Sequence, residues 1–151
     1  MEAGTVLAFD VGTRLIGVAI GTALTGTARP LTTVAVSERG PDWPRIDALL
    51  KEWQPVATVV GLPLMLDGAE QAMTKTAAKF AEQLATRSGL VVHRVDERNS
   101  SREASQRFAQ HRAQGTASRK QAAAIDAVAA AVILDRWFDQ GTNLDPESLS
   151  R

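Results

Sequence analysis

Residues 5–21 read TVLAFDVGTRLIGVAIG. This stretch joins two apolar, β-branched runs, residues 5–10 and 14–21, through the short link Val11-Gly12-Thr13, and the arrangement predicts a β-hairpin. Because the first run is apolar throughout, we expect it to be a buried strand in the middle of a sheet. The run ends on Asp10, and a carboxylate at the end of a buried strand is seldom needed for folding.

Downstream of the hairpin, strand and helix patterns alternate. Residues 27–36 predict a third strand, in which Pro30 indicates an edge or a bulge. Further strands are predicted over 56–60 and 90–95, and helices from the N-cap Asp42 to Pro55, over 70–87, over 100–112 and from Ser118 to Phe138. The order β-β-β-α-β-α-β-α-α predicts an α/β fold with a mixed five-stranded sheet and helices on both of its faces.

Length and composition limit the class of protein. The chain has 151 residues, which suits one domain, expected over residues 1–139. We expect the polar segment 140–151 that follows to be a flexible tail. The chain has no Cys, and this excludes disulfides, zinc–thiolate sites, iron–sulfur clusters and a Cys nucleophile. We find no signal peptide or membrane-helix pattern, so we expect a cytoplasmic protein without a membrane partner.

Charge is distributed unevenly although its sum is zero. Residues 98–120 carry six basic side chains against one acidic side chain, Glu103. A single basic stripe on a neutral protein is typical of a surface that meets a polyanion at one place, and it is equally typical of a solvated helix face.

Three carboxylates occupy positions that favour chemistry over folding. Asp10 and Glu97 each follow a predicted buried strand, and ligands collect at the carboxyl ends of parallel strands. Asp126 lies in an alanine-rich helix, where its neighbours three and four positions away are all Ala. A charge on such a face costs free energy unless it is paired or binds a cation, and the small residues let the helix approach the sheet. The alternative is a polar residue on an exposed helix face.

Three converging carboxylates without Cys predict a site for Mg²⁺ or Mn²⁺, with Asp10 as a bridging ligand and Glu97 and Asp126 in support. Two such ions ~4 Å apart can stabilise both the attacking and the leaving oxygen of a phosphoryl displacement. The glycines around Asp10 indicate a close approach of backbone to a ligand, and the N–H groups of Gly12 and Thr13 are candidates to bind phosphate. An ordinary tight turn explains the same glycines.

Five motifs, taken together and in order, resemble the YqgF/RuvX family over roughly residues 5–138. The first is FDVGT followed by IGVA at residues 9–19, and the second is GTARPL at 26–31. The third is VGLPL followed by DG at 60–68. The last two are DER followed by Ser at 96–100 and IDA followed by Ala at 125–130. The resemblance implies a ribonuclease H-like fold. The family was first regarded as Holliday junction resolvases by similarity to RuvC, and it is now usually described as nucleases that mature the 5′ end of pre-16S ribosomal RNA. By the same resemblance Asp10, Glu97 and Asp126 match the acidic active-site positions.

The basic residues near these acids are expected to hold phosphates that flank the cleaved bond. Such contacts position a strand without reading its sequence and make binding sensitive to salt. The candidates are Arg14, Arg98, Arg102, Arg119 and Lys120. We expect nucleic acid as the partner, with structured RNA favoured and branched DNA as the alternative.

One position departs from the RuvC-type pattern, which has a fourth acid one turn before the last Asp. That position is Ala123 here, and its lack of charge weakens the case for junction resolution. Resolution of a four-way junction also requires a dimer, whereas RNA cleavage does not, so we expect a monomer or a weak homodimer. Two further alternatives are a non-cleaving nucleic-acid-binding factor and an actin-like or sugar-kinase phosphate loop, which normally needs a second domain.

Overall fold

The N-terminal hairpin forms the middle of a six-stranded sheet. The structure is a computed structural model, and it describes residues 4–63, 72–96 and 119–139. The strands are β1 Thr5–Val11, β2 Leu15–Thr22, β3 Thr27–Ser37, β4 Gly40–Pro41, β5 Ala57–Leu62 and β6 Val92–Asp96, and the helices are α1 Trp43–Trp53, α2 Ala72–Ser88 and α3 Arg119–Asp139. The strand order is β4-β3-β2-β1-β5-β6, which confirms that β1 is an interior strand.

Strand directions bring several chain ends to one edge of the sheet. Strands β1 to β4 form antiparallel pairs, whereas β5 pairs parallel with β1 and β6 pairs parallel with β5. Strands β1, β5 and β6 therefore end at the same edge, at Val11, Leu62 and Asp96. We call this edge the carboxyl edge.

Both faces of the sheet are covered by helices, as the sequence predicts. Side chains alternate between the faces of a strand. Leu7 and Phe9 of β1 therefore belong to the core beneath α1 and α2, while Val6 and Ala8 belong to the core beneath α3. Asp10 has the parity of Val6 and Ala8, and this places it on the α3 face.

Local sequence signals explain how individual elements begin and bend. The carboxylate of Asp42 accepts a hydrogen bond from the N–H of Arg45 at 3.2 Å, which confirms the predicted N-cap of α1. The helix ends where Gln54 adopts a left-handed conformation with φ of 44°. In β3, the pairing with β2 passes from Thr32 to Pro30, so Leu31 is an extra residue. This bulge next to Pro30 confirms the expected irregularity.

The sheet has one strand more than the sequence indicates. The sequence predicts five strands, and the sixth is β4, in which Gly40 and Pro41 pair with Ser37 and Val36. A two-residue strand is too short to produce an alternating pattern, and this is why the sequence does not reveal it. The predicted basic helix over 100–112 and the predicted tail over 140–151 lie outside the described residues.

Candidate active site

Asp10 stands one residue before the carboxyl edge, on an interior strand. Its β1 neighbour Phe9 lies beside Val60 of β5, and Asp10 itself pairs with Gly17 of β2. The side chain is half-buried, whereas the apolar residues before it in β1 are fully buried. The carboxylate is therefore held by rigid backbone at a place where the covered sheet opens to solvent.

The pairing partner of Asp10 is also the point where α3 touches the sheet. A Cβ atom added to Gly17 would lie 1.8 Å from the carbonyl oxygen of Asp126 and 2.8 Å from the nitrogen of Ala127. Only a residue without a side chain allows this approach. The close contact continues at Gly21, where an added Cβ would meet Leu134 at 3.0 Å and Phe138 at 3.2 Å.

These two contacts define the direction of α3. The helix runs alongside β2 in the same sense, and its N-terminal part lies at the carboxyl edge. The backbones of Asp10 and Asp126 are thus both neighbours of Gly17. The sequence expectation that small residues let the helix approach the sheet agrees with this geometry, and the position of the carboxylate of Asp126 at the strand ends stays a prediction. The close approach at Gly17 is made by helix backbone, however, and not by a ligand.

Burial gives the carboxylate of Asp126 an unfavourable environment. The side chain is half-buried, and desolvation raises its pKa above the ordinary value. This partial burial argues against the alternative of a polar residue on an exposed helix face. A half-buried carboxylate that has lost part of its hydration favours binding of a cation, because the cation compensates the lost hydration.

Glu97 lies outside the described residues, but the strand before it is described. Strand β6 ends at Asp96, which pairs with Leu62 of β5 at the carboxyl edge. Two strand spacings, ~10 Å, separate β6 from β1. The chain therefore leaves the described part of the fold at the same edge as Asp10, one residue before Glu97.

The turn after Asp10 contains the predicted phosphate-binding loop. The N–H of Gly12 donates to the carbonyl of Leu15 at 2.9 Å, so this donor is engaged within the turn and does not support the expected contact with phosphate. A Cβ at Gly12 would lie 2.6 Å from the same carbonyl oxygen, which explains the glycine. Thr13 and Arg14 follow, and both are exposed at the carboxyl edge.

The other predicted basic residues divide into two groups. Arg119 and Lys120 are the first two residues of α3, and they precede Asp126 by seven and six positions. At 1.5 Å per residue, they extend roughly 10 Å beyond Asp126 along the helix axis, towards the carboxyl edge. Arg98 and Arg102 lie outside the described residues.

His93 and Trp137 form an aromatic contact in the core beneath α3. Their ring centroids are 4.9 Å apart, and Trp137 is fully buried. Burial lowers the pKa of His93, which favours the neutral imidazole. The histidine thus has a packing role, and the structure gives no sign of a catalytic one within the described residues.

Two basic side chains that no sequence motif indicates lie beside the turn. Arg39, in the link between β3 and β4, and Lys79 of α2 line a pocket of about 310 Å³ that also includes Gly12. Nothing in the sequence spacing relates residues 12, 39 and 79 to each other. Their proximity follows only from the sheet topology and the packing of α2.

A divalent metal ion fits the donors that the site offers. Asp10 and Asp126 supply hard oxygen atoms, which Mg²⁺ and Mn²⁺ prefer. Residues 4–63, 72–96 and 119–139 contain no group of three or more possible metal-ligating side chains. The third predicted acid, Glu97, is not among these residues, so this finding does not test the three-acid site.

Comparison with known proteins identifies the class and then the family. The structure of Thermus thermophilus RuvC in complex with a Holliday junction substrate matches 92% of this chain and 97% of its own, with a TM-score of 0.52 and 18% sequence identity. At this identity the likeness shows the fold alone, and the fold is the ribonuclease H-like fold of RuvC. A family model described as "RuvX: Holliday junction resolvase" matches residues 4–140. The chain belongs to the RuvX family, and its activity class is that of a hydrolytic nuclease.

Curated relatives extend over nearly the whole chain. A protein of Xanthomonas euvesicatoria pv. vesicatoria is 51% identical over 144 residues, and one of Xanthomonas oryzae pv. oryzae is 53% identical over 144 residues. Each alignment covers 93% of this chain and 93% of the relative. Both relatives are named "Putative pre-16S rRNA nuclease". The fold and the family imply that the activity depends on divalent metal ions.

Among the helices that the structure describes, none combines the length and the apolar character that a bilayer-spanning helix requires.

Proposed function

We propose that this nuclease hydrolyses phosphodiester bonds in the 5′ region of precursor 16S ribosomal RNA, and that Asp10, Glu97 and Asp126 are its catalytic acids. The observation that carries the assignment of the acids is the shared contact at Gly17, which pairs with Asp10 and touches the backbone of Asp126. The names of the curated relatives support the choice of substrate. The cytoplasm, where ribosomal RNA is transcribed and matured in bacteria, is the proposed site of action.

The acids are proposed to hold Mg²⁺ or Mn²⁺, in a two-ion arrangement. Bound ions of this kind would neutralise the charge of the phosphate and help to generate the attacking hydroxide. Asp10 is half-buried on an interior strand, and burial partly dehydrates the carboxylate of Asp126. In the reaction, a water oxygen forms a bond to phosphorus while the bond from phosphorus to the leaving oxygen breaks.

Positive groups at the carboxyl edge are proposed to hold the phosphates on either side of the cleaved bond. Arg14 is exposed in the turn after β1, and Arg119 and Lys120 begin α3. Helices α2 and α3 have no acidic residue in their first turns. The N-terminal end of a helix favours anions, so α3 adds to the attraction. We include Arg98 and Arg102 in this set as predictions from the sequence, together with the backbone of Thr13.

A cleavage assay with matched variants tests the proposal. We expect the protein with Mg²⁺ or Mn²⁺ to cut a labelled RNA spanning the precursor 5′ end, and Asp10→Asn, Glu97→Gln and Asp126→Asn each to lose at least ~100-fold in rate. RNA binding by Asp10→Asn should be retained, because the variant removes negative charge that faces phosphate. Glu52→Gln serves as the control, since Glu52 is exposed at the C-terminal end of α1. Full activity in Asp10→Asn would refute the assignment of the site.

The second candidate substrate is a four-way DNA junction, which the description of the family model favours. Symmetric resolution needs two active sites, so this candidate also requires a dimer. The same assay with a labelled junction separates the candidates. Paired symmetric nicks in the junction would favour resolution, whereas cleavage of RNA with an intact junction would favour maturation. Binding without cleavage of either substrate would favour a factor that acts only with partners or does not cut.

A further inference from the structure

A basic pocket lies on the far side of the β1–β2 turn from the candidate acids. It has a volume of about 310 Å³, and its lining includes Gly12, Arg39, Trp43, Thr76, Lys79 and Gln83. Asp10 is on the α3 face of the sheet, whereas this pocket lies on the face covered by α1 and α2, because Trp43 and Phe80 of that core form its wall. The turn at residues 12–14 separates the two.

The charge of the pocket is of one sign. Arg39 and Lys79 are the charged residues in its lining, and both are exposed. Glu38 and Glu82 are next to lining residues in the sequence but do not line the pocket themselves. Within the described part of the chain, the ion pair that is present joins Arg87 to Asp47, and neither Arg39 nor Lys79 takes part in one. Two such cations next to hydroxyl and amide groups favour an anionic ligand.

The pocket is also close to the candidate acids along the backbone. Val11 and Gly12 both line it, and they directly follow Asp10. Two residues of backbone span at most about 7 Å. The exposed side chain of Arg14 lies in the turn that links the two sides. A strand whose phosphate is at Asp10 therefore needs only a short path across the turn to reach the pocket at Gly12.

The aromatic wall of the pocket points to phosphate and not to a base as the bound group. Trp43 stacks on Phe80 with ring centroids 5.2 Å apart, and the guanidinium carbon of Arg87 lies 4.9 Å from the centroid of the Trp43 ring. These contacts already engage the ring of Trp43 in protein packing. The polar groups that remain in the lining are suited to the sugar–phosphate backbone.

We propose that this pocket binds the sugar–phosphate backbone of the substrate strand a short distance beyond the cleaved bond, with Arg39 and Lys79 as the phosphate contacts. The strand would pass from the acids over Arg14 and into the pocket, so that the protein holds it on both faces of the sheet. This inference rests on the proposed nuclease function, since it needs a nucleic-acid strand at Asp10. It assigns no chemical step to the pocket, and its residues bind and position the strand.

Binding measured against salt concentration tests the proposal. The probe is a fluorescently labelled RNA spanning the precursor 5′ end, held in EDTA so that metal-dependent cleavage cannot proceed. Each phosphate contact with a single strand contributes ~0.7 to the slope of log affinity against log salt. We expect Arg39→Ala and Lys79→Ala each to lower this slope by about that amount and to weaken binding roughly fivefold at 0.1 M salt.

Lys51→Ala is the matched control for charge. Lys51 is an exposed cation near the C-terminal end of α1, and it does not line the pocket. We expect it to bind like the unaltered protein. If Arg39→Ala and Lys79→Ala also bind like the unaltered protein, the pocket does not hold the strand. Thermal unfolding of all three variants shows whether each remains folded.

A series of shortened RNAs locates the contact. Removing nucleotides one at a time from one side of the cleavage position should abolish the difference between Lys79→Ala and the unaltered protein at a defined length. An effect of Lys79→Ala that persists at every length would overturn the pocket assignment and indicate general charge attraction.

Cleavage kinetics separate this inference from the proposed function. With metal present, we expect the pocket variants to raise KM severalfold and to leave kcat unchanged. If the pocket variants cleave normally with an unaltered KM, the assignment of the pocket is refuted and the proposed nuclease function is not affected. Absence of both binding and cleavage in the unaltered protein would overturn the proposed function and the pocket together.

Discussion

Gly17 and Asp126 are in direct backbone contact, and any side chain at Gly17 would collide with the carbonyl group of Asp126. The distance from an added Cβ to that oxygen is 1.8 Å, far inside van der Waals contact. Since Gly17 also pairs with Asp10, one glycine sets the spacing between the strand and the helix that carry the two candidate acids.

Gly17→Ala should therefore damage stability and cleavage together. The obstructing atom is backbone and cannot rotate away, so either α3 moves or the hairpin deforms. We expect a loss of about 3 kcal/mol or more in the free energy of unfolding, at the upper end of the usual cost of overpacking. Urea denaturation measures this loss, and the cleavage assay measures the effect on the site.

Gly89→Ala is the control for this substitution. Gly89 has a φ of 70°, and an added Cβ there meets nothing within 4 Å. Alanine disfavours this left-handed backbone conformation, so we expect a loss of about 1–2 kcal/mol in the free energy of unfolding. Cleavage should be retained. Similar losses of cleavage in the two variants would contradict a specific role for the contact at Gly17.

Asp126→Asn should raise the stability of the protein while it abolishes cleavage. Burial raises the pKa of Asp126, so the charged carboxylate that exists at neutral pH is disfavoured by the folded state. The neutral amide avoids this penalty. We expect the melting temperature at pH 7, in the presence of a chelator, to rise by a few degrees.

The difference in melting temperature between Asp126→Asn and the unaltered protein should depend on pH, because the pKa of Asp126 is raised in the folded state. The folded state binds a proton to Asp126 more readily than the unfolded state does, so acid removes the penalty. The advantage of Asp126→Asn should shrink as the pH falls towards the ordinary pKa of 3.8. Glu82→Gln, an exposed change on α2, should leave the melting temperature unchanged. A variant of Asp126 that melts lower than the unaltered protein at pH 7 would contradict the argument.

His93 should make the protein less stable in mild acid. Burial lowers its pKa in the folded state, so the unfolded chain takes up this proton first as the pH falls below about 6.5. Stability should decline from that pH down to the lower pKa of the folded state and then show no further loss from this group. His93→Phe keeps a ring against Trp137 and should remove the decline. Identical pH profiles for the two proteins, measured by urea denaturation, would exclude His93 as its source.

Thr74 should contribute to the structure of the carboxyl edge. Its hydroxyl is buried and donates to the carbonyl of Pro63 at 2.6 Å, which links the start of α2 to the end of β5. Thr74→Val keeps the shape and removes the donor, so we expect a loss of ~1 kcal/mol in unfolding free energy. Thr76→Val is a useful comparison, because Thr76 is exposed on the same helix and should change stability less. A larger loss at Thr76 than at Thr74 would contradict this interpretation.

The fold could be predicted from the sequence wherever a local signal determines the structure. Apolar runs define the buried strands, Asp42 caps α1, and Pro30 coincides with the bulge in β3. In each of these cases the physical cause lies within a few residues of its effect. Strand β4 leaves no such signal, because two residues are too few to show a period.

The site was predictable only in part, for a related reason. The unusual settings of Asp10 and Asp126 are local, and they identify both residues as candidates. The contact at Gly17 and the pocket formed with Arg39 and Lys79 depend on which elements pack together. Such long-range packing is not encoded in spacing along the chain. For the same reason, the sequence predicts that the N–H of Gly12 contacts phosphate, whereas in the structure this N–H donates to a carbonyl group within the turn.

The placement of Asp10 on β1 and Asp126 on α3 has a consequence for biosynthesis. Strand β1 precedes α3 in the chain, so it is synthesised first. A nascent chain that has released the hairpin but not the last helix holds one of the two acids without the other. The proposed catalytic centre thus comes into existence only after α3 has been made, so a nascent chain that lacks this helix has no complete centre with which to cut RNA.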